Sequence, residues 1–307
     1  MIDPRLHVLR VVAAQGTVTA AAQTLNYTPS AVSHQLRSLS RDLGVPLLEQ
    51  DGRRVRLTAA ARVLVARADE LYARWEEIRG ELDEARDVYT GSLRLCGFST
   101  AASALLPPVV SEVRARHPYC QVRIIEADPE ECFNLLLADQ ADVAVVVATA
   151  TLPSSADPRF EQAPLLDDPL DLLVPVDNPL AARVSVLLSD AAGEDWILDR
   201  VGRPYHQLVV TACAAAGFAP SVAHESAEWD SGAALVGAGL GVALVPRLAR
   251  IPADERTVRV PLRGDPIPAR HILTAVRRGS RQQTGIATAL AALADVARRH
   301  PGLRELA

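Results

Sequence analysis

Lysine is missing from this 307-residue chain; all 32 of its Lys-or-Arg positions are arginine. We read that as a compositional bias, so the information lies in where the arginines fall. Aromatic residues make up only 4%, which argues against a large aromatic-lined ligand cage but excludes no ligand class. Cysteine is scarce and scattered: Cys96, Cys120, Cys132 and Cys213 form no C-x-x-C. Such thiols are expected to be buried in a reducing compartment. A redox pair of Cys120 and Cys132, the two closest in sequence, is disfavoured. A strand expected at 121–127 rises ~3.3 Å per residue and would hold their Cα atoms more than ~20 Å apart, whereas a disulfide needs under ~7 Å.

Long apolar runs are missing too. The segments 142–152 and 233–246 fall short of the ~20 apolar residues that span a bilayer, and the N-terminus MIDPRLHVLR has no cationic stretch leading into an apolar one. A cytoplasmic protein without membrane contact is expected. There is no G-x-x-x-x-G-K-[ST], G-x-S-x-G or H-E-x-x-H. His7, His34, His117, His206, His224, His271 and His300 are dispersed without metal-ligand spacing. Gly237-x-Gly239-x-Gly241 precedes a strand and reads as a tight turn. His224-Glu225 has no identifiable nucleophile beside it. Neither a metal, a cofactor nor enzymatic activity is expected.

What remains is a hydrophobic fraction of 49% and a mean hydropathy of +0.11, ample for buried cores. The length suits two or three units at a prior of ~150 residues per domain. Charge is distributed unevenly. Through Thr58 there are seven arginines against four acids, a surplus of +3, which leaves −8 on the rest of a chain whose net charge is −5. A basic head on an acidic body is what phosphate binding by one end requires.

The head has local punctuation. Asp3-Pro4 pairs an N-cap with proline at the first helical position. Leu6, Leu9, Val12 and Ala13 follow at helical spacing, and Gly16 ends the helix. Thr17 or Thr19 caps a short helix at 20–25, and Asn26-Tyr27 turns the chain. Thr28-Pro29 opens a third helix that Gly44 closes. Its apolar face is Val32, Leu36, Leu39 and Leu43. Its outward face offers Ser30, Ser33, His34, Arg37 and Arg41, with Gln35 beside it. Small polar residues at a helix start followed by arginines suit a helix that enters the major groove. Asp51-Gly52 then signals a hairpin, whose Arg53, Arg54 and Arg56 can touch the DNA backbone or minor groove.

Here the sequence resembles the LysR-type transcriptional regulators. The landmarks, in order, are Ala20-Ala21-Ala22, Leu25, Ser30, Ala31-Val32-Ser33, Gln35-Leu36, Leu39, Leu43-Gly44-Val45, Leu47, Arg53 and Leu57-Thr58. Departures are Ser40 for an acidic residue, Leu48 for phenylalanine, Gln50 for arginine and Ala61 for glycine; Gln50 removes a potential phosphate contact. The resemblance implies a winged helix-turn-helix over 1–58, with Thr28, Ser30, Ser33, His34, Gln35, Arg37, Arg41, Arg53, Arg54 and Arg56 facing double-stranded promoter DNA.

From Thr58 to about Asp87, Leu64, Ala68, Leu71, Trp75, Ile78, Leu82 and Ala85 alternate by four and three, an a/d seam on an otherwise polar helix. In the family this is the dimerisation helix, here 59–90. The resemblance therefore implies a homodimer, or a tetramer of dimers, held by Leu64, Leu71, Trp75, Ile78 and Leu82. Packing on the chain's own body is the alternative. Residues 88–91 form the expected hinge.

From Ser92 strands and helices alternate, predicting an α/β body with parallel sheets. SLRLCGFST, LLADQADVAVV and LVGAGLGVALVP match the family's effector domain, which is built like a periplasmic binding protein from two lobes. It would occupy 91–307, with the first lobe at about 92–165 plus 266–302 and the second at about 166–265. Ligands in such folds sit beyond strand ends and against helix N-termini. Ser99, Thr100, Thr149, Arg200, Gly202, Arg203 and Ser226 are therefore expected to bind a small-molecule effector. The Ser99 and Thr100 hydroxyls favour an anion, and the neighbouring LLPPVV favours a partly apolar one. Two other readings stay open at this point: a ligand-binding module whose head contacts protein, and an enzyme built on the same body.

Overall fold

The structure, a computed structural model, describes residues 2–51, 54–85 and 89–300. Side chains at 50, 51, 54 and 55 lie outside that description, as do the turn residues Gly52 and Arg53 and the Asp87 and Val88 of the expected helix end and hinge.

The head folds where its caps predict. Helix α1 (Pro4–Gln15) starts at Asp3, whose carboxylate accepts from the Arg5 N–H, and stops at Gly16 in the left-handed region. Helix α2 (Val18–Thr24) is capped by Thr17, and α3 (Pro29–Leu43) by Thr28, with left-handed Gly44 closing it. Val8, Leu9, Val12, Ala21, Ala22, Val32, Leu36 and Leu39 form the core. Leu43 does not join that face: it is 47% exposed in the last turn, where the chain reverses at Gly44. Strands β1 (Leu48–Asp51) and β2 (Arg54–Leu57) pair antiparallel as the wing.

Helix α4 (Ala59–Glu84), capped by Thr58, is amphipathic in two directions. One stripe packs at home. Leu64 and Ala68 lean on the head or are buried there, and Asp69 receives Arg10 Nε at 2.5 Å with both side chains buried. The other stripe faces out: Leu71, Trp75 and Leu82 are 47%, 39% and 54% exposed, and Ile78 is half-buried. The seven-residue seam is thus divided between an internal and an external face.

The body begins with β3 (Ser92–Gly97), α5 (Ser99–Ala104), α6 (Leu106–Arg116), β4 (Gln121–Glu126), α7 (Pro129–Leu137) and β5 (Val143–Val147). The helical stretch from Ser99 to Arg116 is broken at Leu105, ahead of the Pro107-Pro108 pair. Then come β6 (Phe160–Pro175), β7 (Asp195–Leu198), α8 (Pro204–Ala215), β8 (Ser221–Glu225), α9 (Trp229–Gly237), β9 (Ala243–Pro246), β10 (Thr257–Pro261), β11 (Ala269–Arg277) and α10 (Thr284–Arg299). The main sheet runs β10-β6-β11-β5-β3-β4, with β9 also on β6.

The expectation of parallel sheets needs correcting. β3 is parallel to β4 and β5, and β7 to β8, but β6 and β11 are antiparallel to each other and to β5, β9 and β10. β6 continues past the expected lobe boundary at 165/166. Its first half pairs with β11 and its second with β9 and β10. One apolar cluster (Leu95, Val109, Val145, Ile286, Leu293) lies on the first lobe's side and another (Leu170, Trp196, Val242, Val260) on the second's.

Head, linker helix and body are locked together. Arg277 on β11 reaches Glu76 of α4 at 2.9 Å and Asp142 at 3.0 Å; Arg94 holds the same Asp142 at 2.8 Å. Burial works to raise the Asp142 carboxyl's pKa, but the Arg94 hydrogen bond and the Arg277 and Arg94 charges outweigh it and hold it below its usual range. Gly279, at φ +83°, abuts α4 so closely that a Cβ there would clash with the Ala73 carbonyl oxygen; only glycine fits. Gln15 of α1 donates to Asn134 of α7 at 2.6 Å, and Gln140, just past α7, donates to the Thr24 carbonyl at 2.9 Å. Tyr89 of the expected hinge is packed rather than free, edge-on to His117 at 5.4 Å between ring centroids. Its phenol is pushed up to about 12, first by burial.

All four cysteines are buried and free. Cys96, not Cys120, neighbours Cys132, with its Sγ 4.0 Å from the Cys132 carbonyl. Sequence distance hid that pair, because adjacent strand and helix bring residues 36 apart together. The Cys96 thiol is pushed up, first by its hydrogen bond with Cys132 and then by burial, which keeps it protonated and unreactive.

Candidate functional site

The outer face of α3 is open. Ser30, His34, Arg37 and Arg41 are exposed, while Ser33 and Gln35 are half-buried. Thr28 spends its hydroxyl on the Ala31 N–H at 3.2 Å, with Ser30 Oγ 3.0 Å away. Among the described residues neither Arg37 nor Arg41 has an ion-pair partner. Arg56 on the wing is exposed but paired with Glu49 at 2.8 Å. Arg53, and the side chain of Arg54, lie outside the described residues.

The second site is a cavity of about 530 Å³ between the lobes, within the ~300–1,000 Å³ typical of small-molecule sites. It collects the ends of β3, β4, β5, β7 and β8 and the starts of the helices that follow them. Of the residues expected here, Ser99, Thr100, Thr149, Arg203 and Ser226 line it; Arg200 and Gly202 do not. Both of these are exposed beyond β7, in a turn where Gly202 has φ +89°. The chain re-enters the lining only at Arg203, as it starts α8. Thr149 is bonded to Thr151, and Ser226 to Ser231 and the Glu228 carbonyl.

The expected Ser99–Thr100 anion grip is also altered. Thr100 is buried and its Oγ1 accepts from Arg270 Nη2 at 2.9 Å. Arg270 is the centrepiece of the floor. It is 5% exposed and ion-paired at 2.5 Å with fully buried Asp168, which also accepts the Leu248 N–H. Its guanidinium lies 5.1 Å over Phe98 and 5.9 Å from Trp229. Trp229 in turn meets Tyr205 edge-on at 4.8 Å, and the Tyr205 hydroxyl donates to the Leu244 carbonyl; burial first of all pushes that phenol's pKa up. Despite the low aromatic content, three of the few aromatics converge on this floor.

Around the floor stand Glu126, Asp128, Asp199 and Glu228. Arg203 binds Asp199 at 3.1 Å and reaches Asp128 across the cleft at 4.0 Å. Sequence reasoning missed Arg270, Trp229, Tyr205 and these carboxylates. Asp128-Pro129 carries the cap-plus-proline signal of a helix start after a strand end, and Arg203-Pro204 carries a proline at the first helical position; Glu228-Trp229 has no such mark. Nothing local marks Arg270, whose place depends on a strand returning from more than a hundred residues away.

A winged helix-turn-helix joined to a two-lobed ligand cleft is the architecture of a ligand-responsive DNA-binding regulator. Two family models match the chain: "Bacterial regulatory helix-turn-helix protein, lysR family" over residues 4–62 and "LysR substrate binding domain" over 86–299. The chain belongs to the LysR family of transcriptional regulators. GltC of Bacillus subtilis, a transcriptional dual regulator, is 28% identical over 235 residues, 76% of this chain and 77% of its own. The transcriptional activator IlvY of Salmonella typhimurium is 30% identical over 177 residues, 55% of this chain and 60% of its own. A full-length OxyR variant from Pseudomonas aeruginosa superposes with a TM-score of 0.67 at 22% identity, over 98% of this chain and 95% of that one. CbnR does so with 0.56 at 23%, over 95% and 100%. These relatives are regulators rather than enzymes. Among the described residues no helix is long and apolar enough to cross a membrane.

Proposed function

We propose that this regulator binds promoter DNA as a homodimer, or a tetramer of dimers, and that a small molecule in the inter-lobe cavity changes how it does so. The observation that carries the reading is the α3 face. Arg37 and Arg41 stand exposed and unpaired among the described residues of a chain that otherwise pairs many of its arginines. Ser30, Ser33, His34 and Gln35 lie alongside to meet base edges and phosphates; the wing's exposed Arg56, and Arg53 and Arg54 by their place in the sequence, add contacts to the backbone. Leu71, Trp75, Ile78 and Leu82 form the apolar stripe that a second α4 covers. Two copies then present two heads to two half-sites.

Coupling runs through α7. Asp128 and Pro129 at its start line the cavity, while Asn134 holds Gln15 of the head and Gln140 just beyond it holds Thr24. A ligand that favours one lobe arrangement thereby favours one head position, provided its affinity differs between the two.

The test is a gel shift of the purified protein on the DNA upstream of its own gene, across a salt series. A retarded band that is lost steeply with salt, and lost in a Trp75→Glu variant that light scattering shows to be monomeric, is expected. Retention of full affinity by the monomeric variant would break the dimer reading, and no band at any salt would break the promoter reading.

A further inference from the structure

We propose that the effector is a small organic cation: a primary amine or guanidinium on a short, partly apolar body that carries an uncharged hydrogen-bond acceptor. The inference rests on reading the inter-lobe cavity as the effector site, and it replaces the anion that the Ser99–Thr100 turn suggests.

Helix N-termini attract anions through their partial positive charge and free N–H groups. Here three of the four helix starts at the cavity, those of α7, α8 and α9, carry the chain's own carboxylates; the short α5 does not. Asp128 stands at the N-cap of α7 and Glu228 at that of α9, neither side chain making a capping hydrogen bond. Asp199 lies ahead of α8, held by Arg203. Glu126 adds a fourth carboxylate to the lining. Against these stands one cation that is not already neutralised in the floor, Arg203, because Arg270 and buried Asp168 cancel. The lining therefore has a surplus of three negative charges. His271, also on the lining, is tied to Asp167 at 2.6 Å. In a cleft with low-dielectric walls such a surplus is focused rather than screened. A carboxylate or phosphate ligand would enter against it.

A second feature points to a ligand independently of charge. Arg270 spends Nε and Nη2 on Asp168 and Thr100. Its Nη1 makes no hydrogen bond, yet it is not among the atoms sealed away from solvent, and the residue lines the cavity. A donor on a nine-tenths buried guanidinium, left open at the floor, asks for a carbonyl or hydroxyl oxygen. Its positive charge is already satisfied, so the acceptor need not be charged. Phe98, Tyr205 and Trp229 supply apolar and π surface for the body between floor and rim.

The arrangement also explains how such a ligand would act. Glu126 and Asp128 belong to the first lobe's strand ends, Asp199 and Glu228 to the second's. Arg203 already bridges Asp199 and Asp128 across the cleft, whereas Glu126 on the first lobe's side and Glu228 on the second's have no ion-pair partner among the described residues. A ligand cation that reaches both of these carboxylates adds a second bridge beside Arg203, so it binds the closed arrangement more tightly than the open one.

The experiment is a thermal-shift and calorimetric screen of the full-length protein against a panel of small amines and guanidines. Phenethylamine, tyramine, cadaverine and agmatine are included, each run beside the carboxylate of matched skeleton. Two variants are tested in parallel. Glu126→Gln/Glu228→Gln removes charge from the rim. Gly232→Leu fills the cavity from α9, where an added Cβ meets only the Ser226 side chain at 3.6 Å. The expected result is saturable binding of one or more cations, at least tenfold tighter than the matched carboxylate. Binding should weaken about tenfold per carboxylate removed and be lost in Gly232→Leu. Carboxylates that bind as tightly, and are blocked by Gly232→Leu, overturn the cation proposal and leave the effector site standing. Cations that bind equally well to Gly232→Leu overturn both. A panel in which no cation binds overturns the proposal.

Discussion

Helix α3 and the cavity floor are both built around arginine, and they use it in opposite ways. Arg37 and Arg41 stand in water without an ion-pair partner among the described residues, available to a phosphate or a guanine edge. Arg270 and Arg277 are buried, and each is committed, to Asp168 and Thr100 in one case and to Glu76 and Asp142 in the other. Both uses follow from the guanidinium's planar, permanently charged fork. The difference between them is solvent. An exposed arginine contributes little to stability and is free to bind. A buried one has lost its hydration and is tolerable only with its carboxylate in place.

The sharpest way to break this comparison is to treat a buried arginine as if it were an exposed one. Arg270→Met leaves Asp168 charged and fully buried without its partner, at a cost of roughly 3–5 kcal/mol in unfolding free energy. Adding Asp168→Asn removes the stranded charge and keeps an oxygen for the Leu248 N–H. The double variant should therefore recover most of the loss in urea unfolding. If Arg270→Met alone unfolds like the parent protein, the floor pair is not the structural element it looks to be.

The reverse experiment is milder for the fold and aimed at function. Arg37→Ala should leave stability within about 0.5 kcal/mol of the parent, weaken DNA binding by about 1–3 kcal/mol and, if its contact is to phosphate, lower the slope of log affinity against log salt by about one. Arg56→Ala should weaken binding less, because Arg56 must first give up Glu49, an exposed pair worth little in itself. Fluorescence anisotropy on one promoter fragment across a salt series checks both. Equal losses would mean that the wing contributes as much as the reading helix.

The same contrast explains what was legible in the sequence. The head was readable almost residue by residue, because its signals are local: Thr17 and Thr28 cap from one turn away, and Gly16 and Gly44 stop helices with their own φ. Leu43 was misplaced because periodicity places a residue on a face without showing where the neighbouring helices end. In the body, Pro164, Asp167, Asp168 and Pro169 have the composition of a loop, yet they lie within β6. They become strand because β11 pairs along them. Asp69 and Glu76 looked like solvent-facing charges on α4, and only the fold brings Arg10 and Arg277 to them. Cap chemistry travels a few residues, whereas buried ion pairs here close over spans of 59 to 201 residues. A single sequence does not display such spans.

His7 offers the smallest and most diagnostic test of how far the buried arginines' influence reaches. It sits on α1 beside Tyr72, at 5.9 Å between ring centroids, and it feels Arg10 and Arg277 as well as Asp139. Its pKa is held below the ordinary 6.5, first by burial and then by the Arg10 charge, with Arg277 adding to this and Asp139 opposing it. The proton is therefore taken up more readily by the unfolded chain. Stability should be flat above neutral pH and fall as the pH drops below about 6.5, levelling off once the folded protein also protonates. Buried carboxylates such as Asp142, whose pKa is lowered, contribute their own loss only further toward acid. Melting temperatures from about pH 2 to pH 8, a range that spans both the carboxylate and the imidazole values, separate the two contributions. His7→Gln should shrink the upper step, leaving the share of His300, whose pKa burial also lowers, and leave the lower step intact. If the slope near neutrality is undiminished in His7→Gln, the junction of head, linker and body is not set by this imidazole, and the cationic field inferred there from Arg10 and Arg277 has no titratable reporter.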